Sequence, residues 1–431
     1  MKQAIKKPFT FRLLPFSFLL FAFYLFPFIT RAASILMPMD EAQKNHLKAY
    51  GIAFWVLKNG GEVDWLLNYR GGSFMTAYDK KLEDECNIRG ISYEVLADAK
   101  VSEIITQVSD PSVNMDLVKL QKAPKIAVYS PKNKLPWDDA VTLVLKYAEI
   151  PFDLVYDEEV IRGDLPKYDW LHMHHEDFTG QYSKFFAGFS NAQWYVDDKK
   201  AQEDMAAKLG FKKVSKMKLA VVQRIRDFTA GGGFLFAMCS GTETFDVALA
   251  AGNTDICESM FDGDPADPNA QSKLDFTQTF AFQNFNLDMN PLSHRFSDID
   301  VTTTREVDRT NDFFTLFDFS AKWDVVPSML TQNHDKVIKG FMGLTTAFNK
   351  NTIKPGVTIM GDMKTANEVR YIHGEYGKGQ WTFYGGHDPE DYQHQISDPP
   401  TDLNLHPNSP GYRLILNNVL FPAAKKKKQK T

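Results

Sequence analysis

Apolar positions along this chain switch between a period of two and a period of three to four, and the switches outline its elements. Residues 34–38 (Ser-Ile-Leu-Met-Pro) read as a short strand. Over 40–58 the apolar residues Leu47, Tyr50, Phe54 and Leu57 recur at helical spacing, interrupted by Gly51 and ended by Asn59-Gly60-Gly61. A strand at 63–67, a turn at 68–73, a helix at 80–87, a strand at 91–96 and a helix at 99–108 follow, so 34–118 reads as a small α/β unit. Alternation starts again at Lys125. Strands are predicted at 126–129, 152–156 and 168–173, with a helix at 137–147 opened by Asp138 and Asp139. After an irregular stretch, a helix at 218–228 leads through Gly231-Gly232-Gly233 into the strand 234–238 and straight into another helix. Strand–helix alternation with short connections predicts a parallel sheet covered by helices on both faces.

From about 253 to 352 the alternation fails. The segment is aromatic-rich and loop-like, with Phe276, Phe280, Phe282 and Phe285 close together, and reads as an insertion or lid. Order resumes at 356–360, then in a hairpin of 369–376 and 380–384 about Gly377-Lys378-Gly379, and a last helix spans 411–420. The second domain is therefore expected to comprise 124–252 and 353–421, interrupted by the insertion, with 422–431 as a basic tail read as a solvated end.

The N-terminus adds a compartment. Lys2, Lys6, Lys7 and Arg12 precede an apolar run from Leu13 to Ile29, followed by Ala32, Ala33 and Ser34, which is the pattern of a cleaved export signal over 1–33. Pro15, Pro27 and the modest length of the run argue against an uncleaved anchor. The expected location is the periplasm or cell envelope of a bacterium, with membrane contact only through the signal. Removing 1–33 takes away five basic and no acidic residues, so the formal charge moves from −5 to −10. Such an acidic protein is a poor partner for nucleic acid. The three cysteines, Cys86, Cys239 and Cys257, allow one internal disulfide, and a Cys239–Cys257 bridge is the structural alternative to a reactive thiol.

Candidate chemistry gathers at strand ends. In Ala237-Met238-Cys239-Ser240-Gly241-Thr242-Glu243 small residues surround a cysteine between a buried strand and a helix. A thiol so placed sits at a nucleophile elbow, where the helix N-terminus lowers its pKa and backbone N–H groups can hold an oxyanion. Glu243, one turn on, reads as a first-turn acid favourable to the helix dipole, or as a substrate contact. A thiol needs a base steered by a carboxylate, and His387 in Gly385-Gly386-His387-Asp388-Pro389-Glu390 ends another strand. His174, His175 and Glu176 follow a third strand and read as cleft-lining residues. His172 and His174 would share one strand face, His175 the other. With Glu176 and Asp177 they offer zinc or iron ligands, but no distant ligand is identifiable, and neither a metal nor a cofactor is expected. Asp262, Asp264 and Asp267 read as a solvated turn rather than a calcium loop, and Arg70 beside Gly71 and Gly72 as a plain turn. His294, His334, His373 and His394 read as ordinary surface or loop histidines.

The elbow and the late His-Asp-Pro-Glu run resemble the class I glutamine amidotransferase-like superfamily, including its trehalose-utilisation-type members, over 124–252 and 353–421. The resemblance implies a flavodoxin-like, doubly wound sheet with Cys239 as nucleophile, His387 as base, Glu390 as orienting carboxylate and the Ser240 N–H in the oxyanion hole. Two positions depart from the family: Ala237 replaces the first glycine of Gly-x-Cys-x-Gly, and Asp388 interrupts His-Pro-Glu, which makes Asp388 the alternative orienting group. Neither the N-terminal cysteine nor the Ser-Gly-Gly-x-Asp-Ser loop of an asparagine synthetase is present. Two readings stay open. One is an exported cysteine-dependent amide or ester hydrolase. The other is a catalytically silent envelope protein that binds a saccharide or peptide in the same cleft.

Overall fold

The computed structural model describes residues 32–424 apart from 134, 303–311, 364–365 and 394. Residues 1–31 of the expected export signal 1–33, the lysines of the basic tail and His394 therefore lie outside the described residues. Among the described residues no helix is long and apolar enough to cross a membrane.

Two sheets share the molecule. The first is built from β1 (Ala32–Met37), β2 (Val63–Leu67), β3 (Ser73–Ala77), β4 (Glu94–Ala97) and β5 (Asp116–Leu120), in the order β4-β1-β3-β2-β5. Every pairing in it is antiparallel. Strands β3 and β5 are not anticipated by the alternation, because β3 hides in a stretch that reads as a turn tail and β5 alternates weakly. Helix α1 (His46–Lys58) covers one face, and α2 (Lys80–Arg89) packs beside it. Helix α3 (Asp98–Ser109) covers the other face, burying Ile104 and Val108 against Leu36, Leu66 and Met75. The Arg70 turn is a plain one, as its sequence suggests. Its guanidinium is spent on Asp40 at 2.7 Å and Glu94 at 2.6 Å.

The second sheet carries the site. Five of its strands are parallel: β6 (Ile126–Tyr129), β7 (Asp153–Val155), β8 (Trp170–Met173), β9 (Phe234–Met238) and β15 (Gly379–Tyr384), ordered β7-β6-β8-β9-β15. Alternate residues face opposite layers, as a strand's period of two demands. Ile126, Val128, Phe236 and Met238 join the core beneath α4 (Ala140–Tyr147) and the C-terminal helix. Their neighbours Ala127, Tyr129, Leu235 and Ala237 join the opposite core, with the long helix before β9. The irregular stretch before that helix contains α5 (Gln193–Lys208), and the helix itself is α6 (Val214–Gly231). The elbow helix is α7 (Ser240–Ala250) and the last is α8 (Pro410–Leu420).

The insertion does more than cover the sheet. Strands β10 (Phe313–Leu316), β11 (Val337–Lys339) and β12 (Phe348–Asn349) come from within it. With β13 (Thr358–Met363) and β14 (Glu368–Tyr376) they extend the parallel strands by an antiparallel wing, β11-β10-β13-β14-β15, with β12 beside β14. The fold is thus mixed α/β. Its loops are pinned from below: the Asp246 carboxylate in α7 accepts the N–H groups of Phe280, Ala281 and Phe282 at 2.7, 2.7 and 3.0 Å. The acidic turn is exposed at Asp264, and its carboxylates pair with lysines: Asp262 and Asp264 meet Lys213, and Asp267 meets Lys273. Cys86, Cys239 and Cys257 are all unpaired and buried, so the Cys239–Cys257 bridge does not form. Cys257 Sγ instead lies 3.2 Å from the Thr179 carbonyl.

Candidate functional site

Three strand ends converge. Registers Met173↔Ala237 and Ala237↔Phe383 bring the carboxyl ends of β8, β9 and β15 level. The residues just beyond them are His174–Glu176, Cys239 and Gly385–Glu390. Backbone bonds lock the three together. Cys239 N–H donates to the Gly386 carbonyl at 3.0 Å, and Gly241 N–H to the His174 carbonyl at 2.7 Å. A Cβ on Gly241 would sit 2.5 Å from that same oxygen, so the close approach of elbow and histidine strand requires glycine here.

Cys239 has the strained backbone of an elbow, with φ 50° and ψ −144°, a region nearly confined to glycine. Its sulfur is enclosed. Burial pushes the thiol up to about 12, partly opposed by the backbone N–H groups of Ser240 and Leu344. The Ser240 N–H thus faces the sulfur, while the Gly241 N–H is committed to the His174 carbonyl. Leu344 belongs to the insertion, whose segment 341–346 forms the roof. His387 N–H donates to Met342 O at 2.9 Å and Gly386 N–H to Thr345 O at 3.0 Å. A Cβ on Gly343, at φ 152°, would press on the His387 nitrogen at 2.7 Å.

Glu243 is neither a solvated helix-dipole acid nor open to a cleft. It is buried and accepts the hydroxyls of Ser297 at 2.7 Å and Thr345 at 3.1 Å. Burial, reinforced by neighbouring Asp300, pushes it up to about 8. Glu390 is engaged by Tyr392 at 2.6 Å and by His406 at 3.2 Å. Asp388 accepts the Glu390 N–H at 2.9 Å, and burial raises its carboxyl.

The histidines are closer together than the sequence suggests. β8 ends at Met173, so the strand alternation that would send His175 to the far face no longer applies. One ring nitrogen each from His174, His175 and His387 lies within 4.8 Å of the others. The rings of His174 and His387 are 4.4 Å apart. His387 is the distant residue that linear spacing could not bring to this pair. Behind them the His172 ring packs against both Trp170 and Phe236, and its Nε2 lies 3.3 Å from His174 Nδ1. Burial lowers His172 to about 3, so it is neutral. Asp139 caps α4 through Thr142 N–H and turns its second oxygen toward His172 and His174, 3.7 Å from each. Burial alone would raise Asp139, but the histidines hold it well below the usual carboxylate range. Burial would lower His174; Asp139 overcomes this and raises it.

Glu176 accepts the His174 N–H at 3.0 Å, and burial pushes it up to about 7. Asp177 is a loop organiser instead, accepting the N–H groups of Thr179, Gln181 and Ser183 at 2.7, 3.0 and 2.9 Å. Of the remaining histidines among the described residues only His294 is exposed. His373 is a buried strand residue lowered to about 4 by burial, and His334 stacks on His46 with ring centroids 4.1 Å apart.

One of two cavities touches the site. One of about 30 Å³ is lined by His175, Glu176, Trp137, Tyr182 and Trp194 and holds about one water. A larger one of about 520 Å³, lined by Gly231–Gly233, Tyr168 and Arg224, lies at the amino ends of the strands, away from the thiol and the histidines. Chemistry, not size, identifies the site.

No family model and no curated protein matches the chain. Among solved structures, it is similar to two cytoplasmic proteins of Salmonella typhimurium, STM3548 and STM1381. These are 10% and 12% identical, at a TM-score of 0.35, over 70% of this chain and 100% of theirs. A GH42 β-galactosidase of G. stearothermophilus, Gan42B, is similar over 62% of this chain and 28% of its own, at 12% identity and a TM-score of 0.24. Likenesses this distant carry no argument about function.

Proposed function

We propose that the protein is an exported, glutamine amidotransferase-like hydrolase that uses Cys239 against an amide or ester carbonyl of a small molecule, saccharide or peptide. The observation that carries this reading is the backbone of Cys239. A non-glycine residue at φ 50° and ψ −144° costs on the order of 1–3 kcal/mol and persists where surrounding structure over-determines it, commonly at functional sites. The strand order β7-β6-β8-β9-β15 supports a flavodoxin-like sheet, whose ligands sit beyond the carboxyl ends of the strands. In the reaction, the thiol transfers its proton to His387 and attacks the carbonyl. Ser240 N–H holds the oxyanion, His387 returns the proton to the leaving amine or alcohol, and water releases the acyl group. The enclosed state is a resting one, and segment 341–346 must lift to admit substrate.

A second reading is favoured by that enclosure: a thiol at about 12 is neutral, as in a silent binding protein. A panel of activated amides and esters, analysed by peptide mapping, separates the two. Acylation confined to Cys239, abolished in Cys239→Ser and slowed in folded His387→Ala by at least ~10³-fold, is the expected result. An untouched Cys239, with saccharide or peptide binding that survives Cys239→Ser, would overturn the hydrolase.

A further inference from the structure

We infer that His174, His175 and His387 form a binding site for one divalent transition-metal ion of the zinc class. The inference does not rest on the thiol reading. Three imidazoles with donor atoms inside 4.8 Å of one another match the three-histidine set of catalytic zinc sites, in which water takes the fourth position. A tetrahedral ion with Zn–N bonds of about 2.0–2.1 Å needs nitrogens about 3.3 Å apart, which small ring rotations would supply.

Three further observations point to a ligand. His174 Nε2 is fully buried and has no hydrogen-bond partner, an orphan at the position where coordination would use it. Its other nitrogen is held from behind by His172 at 3.3 Å and faces Asp139 at 3.7 Å, the carboxylate–histidine arrangement that orients a metal-binding imidazole. A water-sized cavity lined by His175 and Glu176 reaches one of the three ligands, and offers a path inward from that side. Among the described residues two other compact donor groups occur: Asp139, His172 and His174 are turned toward one another behind the trio, and Asp255, Cys257 and Asp262 already hold a cation, with Lys213 2.8 Å from Asp255 and 3.0 Å from Asp262. Imidazole donors without thiolate or several carboxylates favour zinc over magnesium or calcium.

Metal and thiol chemistry compete for one residue. With its ring nitrogen on a metal, His387 cannot serve as base for Cys239, so an occupied site would hold the thiol idle.

The test uses the full mature protein, stripped with a chelator and titrated with Zn²⁺ against a chromophoric competitor, in parallel with Co²⁺ spectra. Expected are one equivalent bound, a tetrahedral cobalt spectrum without a sulfur charge-transfer band, and a rise in Tm on metal addition. His174→Gln, His175→Gln and His387→Gln should each weaken binding by about 100-fold or more, and Asp139→Asn by about 10–100-fold. Exposed His294→Ala should leave affinity unchanged. Tm of the metal-free variants separates lost ligation from lost folding. Binding below one equivalent, a cobalt–sulfur band, or affinity undiminished in all three glutamine variants would overturn the site. None of these readouts needs a substrate, so the site can fail while the hydrolase stands, or the reverse.

Discussion

Glu243 and Asp300 share a buried space into which the insertion sends Ser297 and Thr345. Both carboxyls are raised, Glu243 to about 8, so the folded protein keeps protons that the unfolded chain releases near pH 4–5. The stability this contributes is complete below the unfolded pKa and is lost as pH rises to about 8. Tm should accordingly fall across that window. Glu243→Gln retains an acceptor for Ser297 or Thr345 without the ionisation. It should flatten the slope and melt above the parent at pH 8; a parallel pair of Tm–pH curves would contradict a raised Glu243 carboxyl. Cys239 gives a second residue-scale expectation. With its thiol pushed up to about 12, alkylation in the folded state should climb steadily through pH 7–9 without a plateau, whereas a free thiol levels off near ~8.5. Peptide mapping after iodoacetamide pulses distinguishes these profiles. The residue types were readable in the sequence: Cys239 in its small-residue turn, His387 behind two glycines, the His174–His175 pair. What a linear chain cannot show is that 212 positions of separation between His175 and His387 vanish in the fold, because that depends on β15 pairing with β9.

Elements hold the site through a few buried polar contacts. Lys218 of α6 reaches both oxygens of Asp157 at 2.9 Å, together with the hydroxyls of Tyr129 and Tyr156, and is itself fully buried. Lys218→Met leaves Asp157 charged without its cation and should cost about 3–5 kcal/mol in denaturant melts. Asp246→Ala strands three N–H groups of 280–282 and should cost at least about 3 kcal/mol, loosening the insertion first. Hydrogen exchange confined to that segment is the expected signature. Neither contact has a sequence signal, since a buried Lys218 looks like any helical lysine and Asp246 like any helical aspartate. The elements themselves were legible where hydrophobic periodicity was sustained, as in β6, β9, β15 and α8. Strands β10 and β11 escaped because short wing strands, partly exposed at Phe313 and Val337, carry too little alternation to separate from loop.

At the scale of the molecule, α8 is a clasp between the two sheets. Its buried Arg413 donates to the carbonyls of Met39 at 2.9 Å and Gly71 at 2.5 Å, and Asn417 donates to those of Leu330 at 3.0 Å and Gln332 at 2.8 Å. Arg413→Met leaves the Gly71 carbonyl without this donor and the Met39 carbonyl with His46 Nε2 alone. It should open 68–73 to limited proteolysis while the parallel strands stay protected, as mass mapping of early fragments would show. Arginine was readable there only as one more helical cation. Its partner Met39 lies 374 residues earlier in the chain. That separation sets an order of events during synthesis. The first sheet leaves the ribosome long before the helix that closes it, which follows Met39 by 374 residues. Long-range closure of this kind is slow, because loop entropy is lost before contacts compensate. A nascent chain lacking α8 should stay loose and accessible to proteases, and full protection should arrive in one late step.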